Sequence, residues 1–555
     1  MVTARYGEEH TGNSGSTDVR NERDERDRSD RERPPTAMTT TANQHVDLPS
    51  LIDVCRQNAD RSPDAPAFDD GNRSVTWGEF DRETDRAANS FLDYVSRGDR
   101  VAFLCESSVT QTVLLFGAMK AGCVVTNVHL KSSSEVMKRS VSETRPSVLV
   151  VDEHAAERVR TELDGDPMQS VSTVVVIGDD VAEGEQTHRS FLEDAETGAP
   201  DVLVNEEDLA TIWWTSGSTG HPKGWCHTHR GLYIKAMKGA ARYGVDRFGR
   251  TLVVFSPSFG AWYNPIVKAM MGCESVRFLR EWDAAKFVDI VEGEDITHTG
   301  LVATMWREVL QQEVEDRDFG SLEVVYSTGE KMDGATLDRL RDHVCRNVTQ
   351  SYGSTEMYGT VLYNEEMTGD RIDSVGKAQT GTEVRIIEEG GAPDDVRDPR
   401  ELGEIIIRGP DVPAWAWRNT AKTTEGFRDG WWYSGDLGYR DEEGYLYLEG
   451  RVDHQIKSRG VKIIPERVEE ALNDHPGVVR SAVVGVDDEE YGQRVTAIVV
   501  PADEDVTSEE LDQWCLESDL VADHERPRDY HFVEEIGRTS SGKLDRNAVK
   551  QRLDL

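Results

Sequence analysis

Residues 213–224, "WWTSGSTGHPKG", are the most informative stretch of this sequence. Two tryptophans lead into a run of serine, threonine and glycine that ends in a proline and a lysine. Glycine allows close backbone approach and positive φ, so successive N–H groups can surround an anion while hydroxyls and a lysine add donors. The stretch predicts a phosphate-binding loop. A Gly/Ser loop without a ligand is the alternative.

This loop differs from the Walker A pattern GxxxxGK[ST]. Gly217, Gly220 and Lys223 have a different spacing, and Gly224 stands where the Walker pattern has the Ser or Thr that binds Mg²⁺. The sequence therefore argues against a P-loop NTPase.

The composition limits the class of protein. With 555 residues, the chain is long enough for two or more folding units. Its net charge of -41 repels nucleic acid and anionic membrane surfaces. Because the acidic residues are spread along the chain in short runs, the surface suits concentrated salt, and we expect the protein of a halophile, specifically a haloarchaeon. An ordinary acidic protein is the alternative.

Cysteine usage and hydropathy indicate the compartment. The seven cysteines are scattered and never occur in CxxC spacing, which argues against a disulfide framework or a thiolate metal site. No window approaches about 18 uninterrupted apolar residues, and no apolar signal segment opens the chain. We expect a soluble, cytoplasmic protein that binds neither nucleic acid nor membrane. The sequence does not indicate an oligomeric state.

Composition and periodicity divide the chain into three parts. Residues 1–47 are dense in both charge signs and predict a disordered extension, with Met38 as an alternative translation start. Residues 48–449 alternate apolar strands with amphipathic segments, which is typical of parallel α/β sheets, and after residue 380 short strands indicate a small β subdomain. Residues 450–555 predict a small α+β C-terminal domain, with a helix that starts after Pro465. The fold class is α/β.

Further motifs follow the loop in a fixed order. They are "YGSTE" (352–356), "GEIIIRG" (403–409), "WWYSGDLG" (431–438), "GRVDHQIKSRGVKIIPERVE" (450–469) and "RTSSGKLDR" (538–546). Together with the loop, these motifs resemble the adenylate-forming (AMP-binding) superfamily, which includes acyl-CoA synthetases. The resemblance runs from about residue 48 to the C-terminus and implies a large N-terminal domain followed by a small mobile lid.

The resemblance implies an anionic reaction that needs preorganised cations and donors. A carboxylate attacks the α-phosphorus of ATP while pyrophosphate leaves, so negative charge accumulates on the phosphoryl oxygens. By resemblance, Lys223 lies beside the phosphates, Thr355 donates to the α-phosphate and Glu356 reaches Mg²⁺. Without the motif, Glu356 would be interpreted as a surface acid. The loop residues implied to hold the β- and γ-phosphates are Thr215, Ser216, Gly217, Ser218, Thr219 and Gly220.

The same resemblance implies a nucleoside site. Tyr352 supplies an aromatic face for adenine, and Asp436 accepts both ribose hydroxyls, a task that suits the two oxygens of a carboxylate. Taken alone, Tyr352 would be a core residue and Asp436 a turn residue. The other residues implied to contact adenine, ribose or phosphate are Gly329, Glu330, Lys331, Gly353 and Arg451.

The C-terminal motifs imply the moving parts. Lys543 matches the lysine that bridges the attacking carboxylate and the α-phosphate, Asp453 matches the hinge, and Gly460 matches a glycine that lines the channel for coenzyme A. The chain departs from the family pattern at two positions. His454 stands where a second acidic residue often follows the hinge, and Lys462, assigned to the same channel, stands where many members carry arginine.

The acid substrate is indicated by "FSPSFGAWYNP", residues 255–265. Phe259, Trp262 and Tyr263 are assigned to one wall of the acyl pocket, although a core role is equally consistent with the pattern. Aromatic walls favour a short or planar acid, and the motifs are somewhat similar to those of benzoate and aryl-CoA ligases. No basic residue stands out for a second substrate carboxylate. His227 and His229 are assigned to packing rather than to a metal site.

These inferences predict an enzyme. We expect an AMP-forming acyl-CoA synthetase, an acid–thiol ligase that uses ATP, Mg²⁺ and coenzyme A to convert a small carboxylic acid to an acyl-adenylate and then to acyl-CoA. Two alternatives stay open: an aryl-acid adenylating enzyme that loads a separate carrier protein, and an inactive nucleotide-binding protein. The presence of Lys223, Glu356, Asp436 and Lys543 counts against the second alternative.

Overall fold

The structure of the protein is a computed structural model. It describes residues 48–163, 165–216, 222–245, 248–357, 359–364, 367–412, 415–503, 505–537, 544 and 546–553. The extension expected over residues 1–47 lies outside these residues. No helix in the described part of the chain is both long and apolar enough to cross a membrane.

Helices recur along the whole described chain. Several begin at residues whose side chains cap the first turn: Ser50 and Thr76 both form capping boxes with the residue three positions later. The α-helices are α1 (Leu51–Arg61), α2 (Trp77–Leu92), α3 (Val109–Lys120), α4 (Ser134–Thr144), α5 (Glu153–Glu162), α6 (His188–Leu192), α7 (His229–Tyr243), α8 (Gly260–Gly272), α9 (Ala284–Gly293), α10 (Ala303–Val309), α11 (Gly334–His343), α12 (Thr420–Gly426), α13 (Pro465–Asn473), α14 (Ser508–Glu517) and α15 (Arg546–Arg552).

The strands fall into three sheets. In chain order they are β1 (Pro66–Asp69), β2 (Ser74–Thr76), β3 (Arg100–Leu104), β4 (Val124–Asn127), β5 (Val148–Asp152), β6 (Thr173–Ile177), β7 (Glu185–Thr187), β8 (Leu209–Ser216), β9 (Pro222–Thr228), β10 (Arg250–Val253), β11 (Ser275–Phe278), β12 (His298–Leu301), β13 (Val324–Thr328), β14 (Val348–Ser354), β15 (Gly359–Asn364), β16 (Ser374–Ala378), β17 (Glu383–Ile387), β18 (Gly403–Arg408), β19 (Trp415–Ala416), β20 (Phe427–Arg428), β21 (Trp431–Arg440), β22 (Leu446–Arg451), β23 (Ile456–Ser458), β24 (Val461–Ile463), β25 (Val478–Asp488), β26 (Gly492–Pro501) and β27 (Asp529–Phe532).

The first sheet has eight strands in the order β19-β9-β8-β4-β3-β5-β6-β7. Its centre is parallel and buried on both faces. On β3, Val101 and Phe103 belong to one hydrophobic cluster, whereas Ala102 and Leu104 belong to another on the opposite face. Helices cover both faces of such a sheet, which explains why these strands are continuous apolar runs. The parallel α/β prediction is confirmed.

The second sheet has fourteen strands and changes character along its width. The strands β1, β11, β10, β12, β13 and β14 pair in parallel. From β14 onward the neighbours β15, β16, β22, β21, β18 and β17 pair antiparallel. The short strands expected after residue 380 are present, and they extend the parallel sheet through hydrogen bonds.

The third sheet is built only from residues after 450. It has five strands, with the path β24-β23-β26-β25 and β27 paired in parallel with β26. α13 begins with Pro465, as expected, and packs Val468 and Leu472 onto Val483 and Ala497 of this sheet. This small α+β unit agrees with the predicted fold class, while the boundary at residues 449 and 450 stays a prediction.

Candidate active site

The predicted phosphate-binding loop connects two paired strands, β8 and β9. Thr215 lies opposite Lys223 in the register, and its hydroxyl donates to the Lys223 carbonyl oxygen at 3.4 Å. Ser216 ends β8. The rest of the predicted cradle, Gly217 to Gly220, lies outside the described residues. The hairpin therefore fixes the two ends of the loop.

The hairpin places Lys223 where its charge interacts with the charges of other predicted site residues. Burial lowers the pKa of the Lys223 ammonium, and nearby Lys422 lowers it further. Glu356 and Asp453 act in the opposite direction, because their negative charges favour the protonated amine. Residues that are 133 or more positions apart in the chain, such as Lys223 and Glu356, thus lie close enough for their charges to interact.

A cluster of three predicted nucleoside-binding residues lies at the end of the β21–β22 pair. Asp436 on β21 is opposite Arg451 on β22, and Arg451 Nη1 donates to Asp436 Oδ1 at 2.7 Å. The hydroxyl of Tyr352 donates to Asp436 Oδ2. Arg451 Nε also donates to Asp453 Oδ1 at 2.9 Å. The Arg451 guanidinium is therefore held by both Asp436, the predicted ribose residue, and Asp453, the predicted hinge residue.

Burial and charge set the protonation of this cluster. Burial raises the pKa of the Tyr352 phenol well above its usual value, and the adjacent Asp436 carboxylate raises it further. The phenol therefore stays protonated and can donate. Gly435 has φ +71°, and a side chain there would approach Arg451 Nη2 to 3.1 Å, so a glycine is needed beside the guanidinium.

Thr355 and Glu356 form a 3₁₀ turn directly after β14. Both are half-buried, and the next residue, Met357, is fully buried and anchors the turn. Gly353, also predicted to contact the nucleoside, lies on β14 two residues before the turn. The turn places one hydroxyl and one carboxylate at the end of a central strand, where sheets of this type present ligand-binding groups.

The donor set around Glu356 suits a magnesium ion held jointly with nucleotide phosphates. In the described part of the chain no three His, Cys, Asp or Glu side chains are grouped to hold a metal. Mg²⁺ binds through one or two carboxylates plus substrate phosphates and water rather than through an all-protein cage. A single half-buried carboxylate near Lys223 fits that mode.

The segment Gly329 to Lys331 follows β13, and Gly329 has φ +82°. Glu330 Oε2 accepts from the Thr304 hydroxyl at 2.8 Å. Lys331 Nζ contacts Asp373 Oδ1 at 3.1 Å and Glu470 Oε1 at 2.9 Å, and Glu470 belongs to α13. In this structure Lys331 therefore joins the second sheet to the C-terminal unit, and its predicted nucleotide contact stays a prediction.

The hinge prediction falls on a 3₁₀ turn over residues 452–454. His454 Nδ1 contacts Glu466 Oε1 at 2.6 Å and lies 3.2 Å from Arg546 Nη1. Arg546 also donates to both carboxylate oxygens of Glu469, at 2.7 and 2.8 Å. Arg546 starts α15, three positions after Lys543, which lies outside the described residues. His454, which departs from the family pattern, therefore has defined contacts with Glu466 and Arg546 in this structure.

The predicted coenzyme A residues lie on the β23–β24 hairpin. Gly460 follows Arg459 at the turn, and both have positive φ. A side chain on Gly460 would meet no atom within 4 Å, so the backbone conformation alone accounts for a glycine here in this structure. Lys462 Nζ contacts Glu389 Oε2 at 2.7 Å. The channel role of both residues stays a prediction.

The three aromatic residues assigned to the acyl pocket divide into two groups. Trp262 and Tyr263 are buried in the core on α8, where Trp262 stacks on Phe278 and the Tyr263 hydroxyl accepts from Asn127 Nδ2 at 2.8 Å. Phe259 is only half-buried, at the start of α8, and its ring lies 4.9 Å from that of His129. The core alternative thus describes the surroundings of Trp262 and Tyr263 in this structure.

We expect Tyr263→Phe to change mainly the stability of the protein and Phe259→Ala to change mainly the binding of the acid substrate. The first removes a buried hydroxyl from Asn127 and should lower the free energy of unfolding by about 1–2 kcal/mol with little change in kcat/KM. Phe259→Ala should change KM for the acid substrate and leave stability within about 0.5 kcal/mol. Urea unfolding and steady-state kinetics test both. A change in acid selectivity with Tyr263→Phe would contradict its assignment to the core.

Comparison with known proteins identifies the family. The sequence matches the AMP-binding enzyme family over residues 55–414 and the AMP-binding enzyme C-terminal domain over residues 467–543. This chain belongs to the AMP-binding enzyme family. It is 29% identical to 3-hydroxybenzoate--CoA ligase of Aromatoleum sp. (strain CIB), over 88% of this chain and 94% of that protein. It is 30% identical to feruloyl-CoA synthase of Amycolatopsis sp., over 89% and 97%.

Solved structures of the family share this fold. The o-succinylbenzoate CoA synthetase of Bacillus subtilis, solved with its acyl-adenylate intermediate, has a TM-score of 0.80, with 23% identity over 91% of this chain and 98% of that one. The anthranilate CoA ligase AuaEII also has a TM-score of 0.80, with 22% identity over 92% and 99%.

Three polar residues near the site are buried. The sequence predicted the packing of two of them, His227 and His229, but not the burial of Lys235. His227 and His229 are both fully buried, and the His227 ring centroid lies 4.0 Å from that of Trp213, so both are packed as expected. Burial lowers the pKa of His229 to about 4. Lys235 was missed. It lies three residues after Leu232 and four before Gly239, both also buried on α7, and this helical spacing was a readable signal that a lysine points inward.

Proposed function

We propose that this member of the AMP-binding enzyme family is an ATP-dependent acid–thiol ligase. The acid carboxylate oxygen attacks the α-phosphorus of ATP, and the bond to pyrophosphate breaks. The sulfur of coenzyme A then attacks the acyl carbon, and AMP leaves. The single observation that carries the proposal is the Tyr352–Asp436–Arg451 cluster, which joins β14, β21 and β22 in a chain that matches the family along most of its length.

In this proposal the described residues bind and orient ATP. Asp436 accepts the ribose hydroxyls. Each of its two carboxylate oxygens already accepts one hydrogen bond and has a further lone pair that can accept another. Arg451 holds Asp436 in position. Lys223 and Thr355 stabilise negative charge on the phosphates, and Glu356 would hold Mg²⁺, which when bound neutralises phosphate charge.

The second half-reaction requires a different face of the C-terminal unit. We assign Lys543 to adenylation, Asp453 to the hinge, and Gly460 with Lys462 to the coenzyme A channel, all from their motif positions. The ion pairs that Lys331 and Lys462 form with Glu470 and Glu389 are exposed, so each is weak and can be exchanged when the unit rotates.

For the acid we propose an aromatic carboxylate. Several relatives are named for ligation of such acids: 3-hydroxybenzoate, ferulate and 2-succinylbenzoate. Other relatives are named as long-chain fatty acid–CoA ligases, at 28% identity. The half-buried ring of Phe259 beside His129 favours a planar acid, because aromatic rings pack well face to edge.

A panel of acids tests the proposal. Purified protein is incubated with ATP, Mg²⁺ and coenzyme A at high salt, and pyrophosphate release, AMP release and acyl-CoA are measured for benzoates, cinnamates, and short and medium alkyl acids. We expect aromatic acids to give the highest kcat/KM. Acid-dependent release of pyrophosphate without AMP or acyl-CoA would point instead to a carrier-protein acceptor, because AMP leaves only when the acyl group is transferred. Release of neither pyrophosphate nor AMP with any acid would contradict the ligase assignment.

A further inference from the structure

α7 carries a lysine ammonium inside the protein. Lys235 is only 4% exposed, and its Nζ atom has no hydrogen-bond partner among the described residues. Leaving an ammonium ion buried and unpaired is costly, so such a group is expected to meet an anion or a strong acceptor when the protein works.

The neighbours of Lys235 leave its positive charge in excess. One turn later on α7, Lys238 Nζ contacts Asp411 Oδ1 at 2.7 Å and donates to the Thr382 hydroxyl at 2.9 Å. Asp411 is fully buried. Its Oδ1 pairs with Lys238, whereas its Oδ2 has no hydrogen-bond partner among the described residues, and its single negative charge acts on Lys235 as well. The cluster therefore holds two ammonium groups and one carboxylate. The amide of Gln379, three residues before Thr382, is also buried without partners in the described part of the chain.

Two other lysines are equally buried, Lys120 and Lys268. Lys120 Nζ contacts Asp81 and Asp85, each at 2.6 Å, whereas the Lys268 ammonium, like that of Lys235, has no hydrogen-bond partner among the described residues. Lys268 Nζ on α8 nevertheless lies 3.8 Å from Glu274 and over the ring of Tyr243. Burial lowers the pKa of Lys235 and of Lys268 to about 8, so each is mainly protonated at neutral pH. Of these buried lysines, Lys235 alone forms no ion pair among the described residues, although the charge of Asp411 acts on it.

The elements around Lys235 are those that form the candidate active site. α7 follows β9, the strand that carries Lys223. The segment with Asp411 continues into β19, which pairs with β9. The turn with Gln379 extends β16, which pairs with β15, and β15 begins three residues after Glu356. On α8, Asn264 packs against Gly359 at the start of β15, five residues along from Phe259.

We propose that Lys235 binds a second acidic group of the substrate, so that the enzyme acts on acids bearing another carboxylate remote from the one that reacts. This inference rests on the proposed ligase function and narrows its substrate class. A dianionic acid brings the missing negative charge to the cluster, and the Gln379 amide is available to donate to the same carboxylate. A neutral tail would leave the ammonium unpaired.

Matched acids and a matched variant test the proposal. The acids are 3-carboxybenzoate and its neutral isostere 3-carbamoylbenzoate, with succinate and succinamate as the non-aromatic pair. We expect the unmodified enzyme to prefer the diacid, and Lys235→Met to lower the kcat/KM ratio of diacid to isostere by about 10- to 100-fold, the range for a hydrogen bond to a charged group. The control is Lys268→Met combined with Glu274→Gln, which removes another buried lysine and should leave the ratio unchanged.

The unmodified enzyme gives a second measurement that does not depend on how the variant folds. Lys235 loses its proton as the pH rises through about 8, so the diacid-to-isostere ratio in kcat/KM should fall between pH 7 and pH 9.5. If both acids react but the ratio is flat with pH and unchanged by Lys235→Met, the Lys235 proposal is overturned and the ligase proposal stands. If no acid in either pair or in the wider panel releases AMP, the ligase proposal itself fails.

Discussion

Replacing Lys543 by alanine is expected to reduce acyl-adenylate formation by about 100- to 1000-fold, while acyl transfer from supplied acyl-adenylate to coenzyme A stays within about threefold. The reason is that a carboxylate must approach a phosphate, and a bridging ammonium stabilises the charge that accumulates only in that step. Once the acyl-adenylate exists, this ammonium has no further task at the acyl carbon. Acid-dependent exchange of pyrophosphate into ATP measures the first half-reaction, and thioester formation from synthetic acyl-adenylate measures the second.

The matched control for this variant is Lys550→Ala on α15, which removes a lysine seven positions further along the same unit. It should change neither half-reaction. Equal loss of both half-reactions in Lys543→Ala, with normal thermal unfolding, would contradict a site that presents two different faces of the C-terminal unit in turn.

Much of the fold was readable from the sequence because local patterns and tertiary structure agree. Four consecutive residues of β3 and of β5 (101–104 and 148–151) are apolar because helices cover both faces of their sheet, and such runs indicate buried parallel strands. α13 begins at a proline, whose fixed φ suits the first helical position. What the sequence did not show is that the strands after residue 380 continue the second sheet, since pairing between distant strands leaves no local signal.

The candidate site was predictable where a motif carries its own chemistry, and less so where burial decides. Asp436 and Arg451 are in separate motifs, and the structure joins them across one strand pair. For Trp262 the residue type suited both a pocket and a core, and only its position on α8 distinguishes the two. Lys235 stands among apolar residues in the sequence. Whether its ammonium has a partner, however, depends on residues as far along the chain as Asp411, 176 positions away.

Replacing Asp436 by alanine is expected to lower kcat/KM for ATP by about 100- to 1000-fold, mostly through a higher KM. Two effects combine. The variant loses the carboxylate that would accept both ribose hydroxyls, and it removes the partner that holds the Tyr352 hydroxyl and one arm of Arg451. Arg451 keeps Asp453 as a partner at 2.9 Å, so we expect the guanidinium to turn toward the hinge.

The companion variant Tyr352→Phe separates these effects. It removes only the hydroxyl that donates to Asp436 and keeps the aromatic face, so its loss in kcat/KM for ATP should be about 10-fold or less. Because both residues act on one carboxylate, the double variant should lose little more than Asp436→Ala alone. Asp394→Ala, which removes a carboxylate that is 97% exposed, is the control and should leave KM for ATP unchanged. If Asp436→Ala and Tyr352→Phe were fully additive, the two side chains would act on ATP independently, and the cluster would not be the unit that positions the nucleoside.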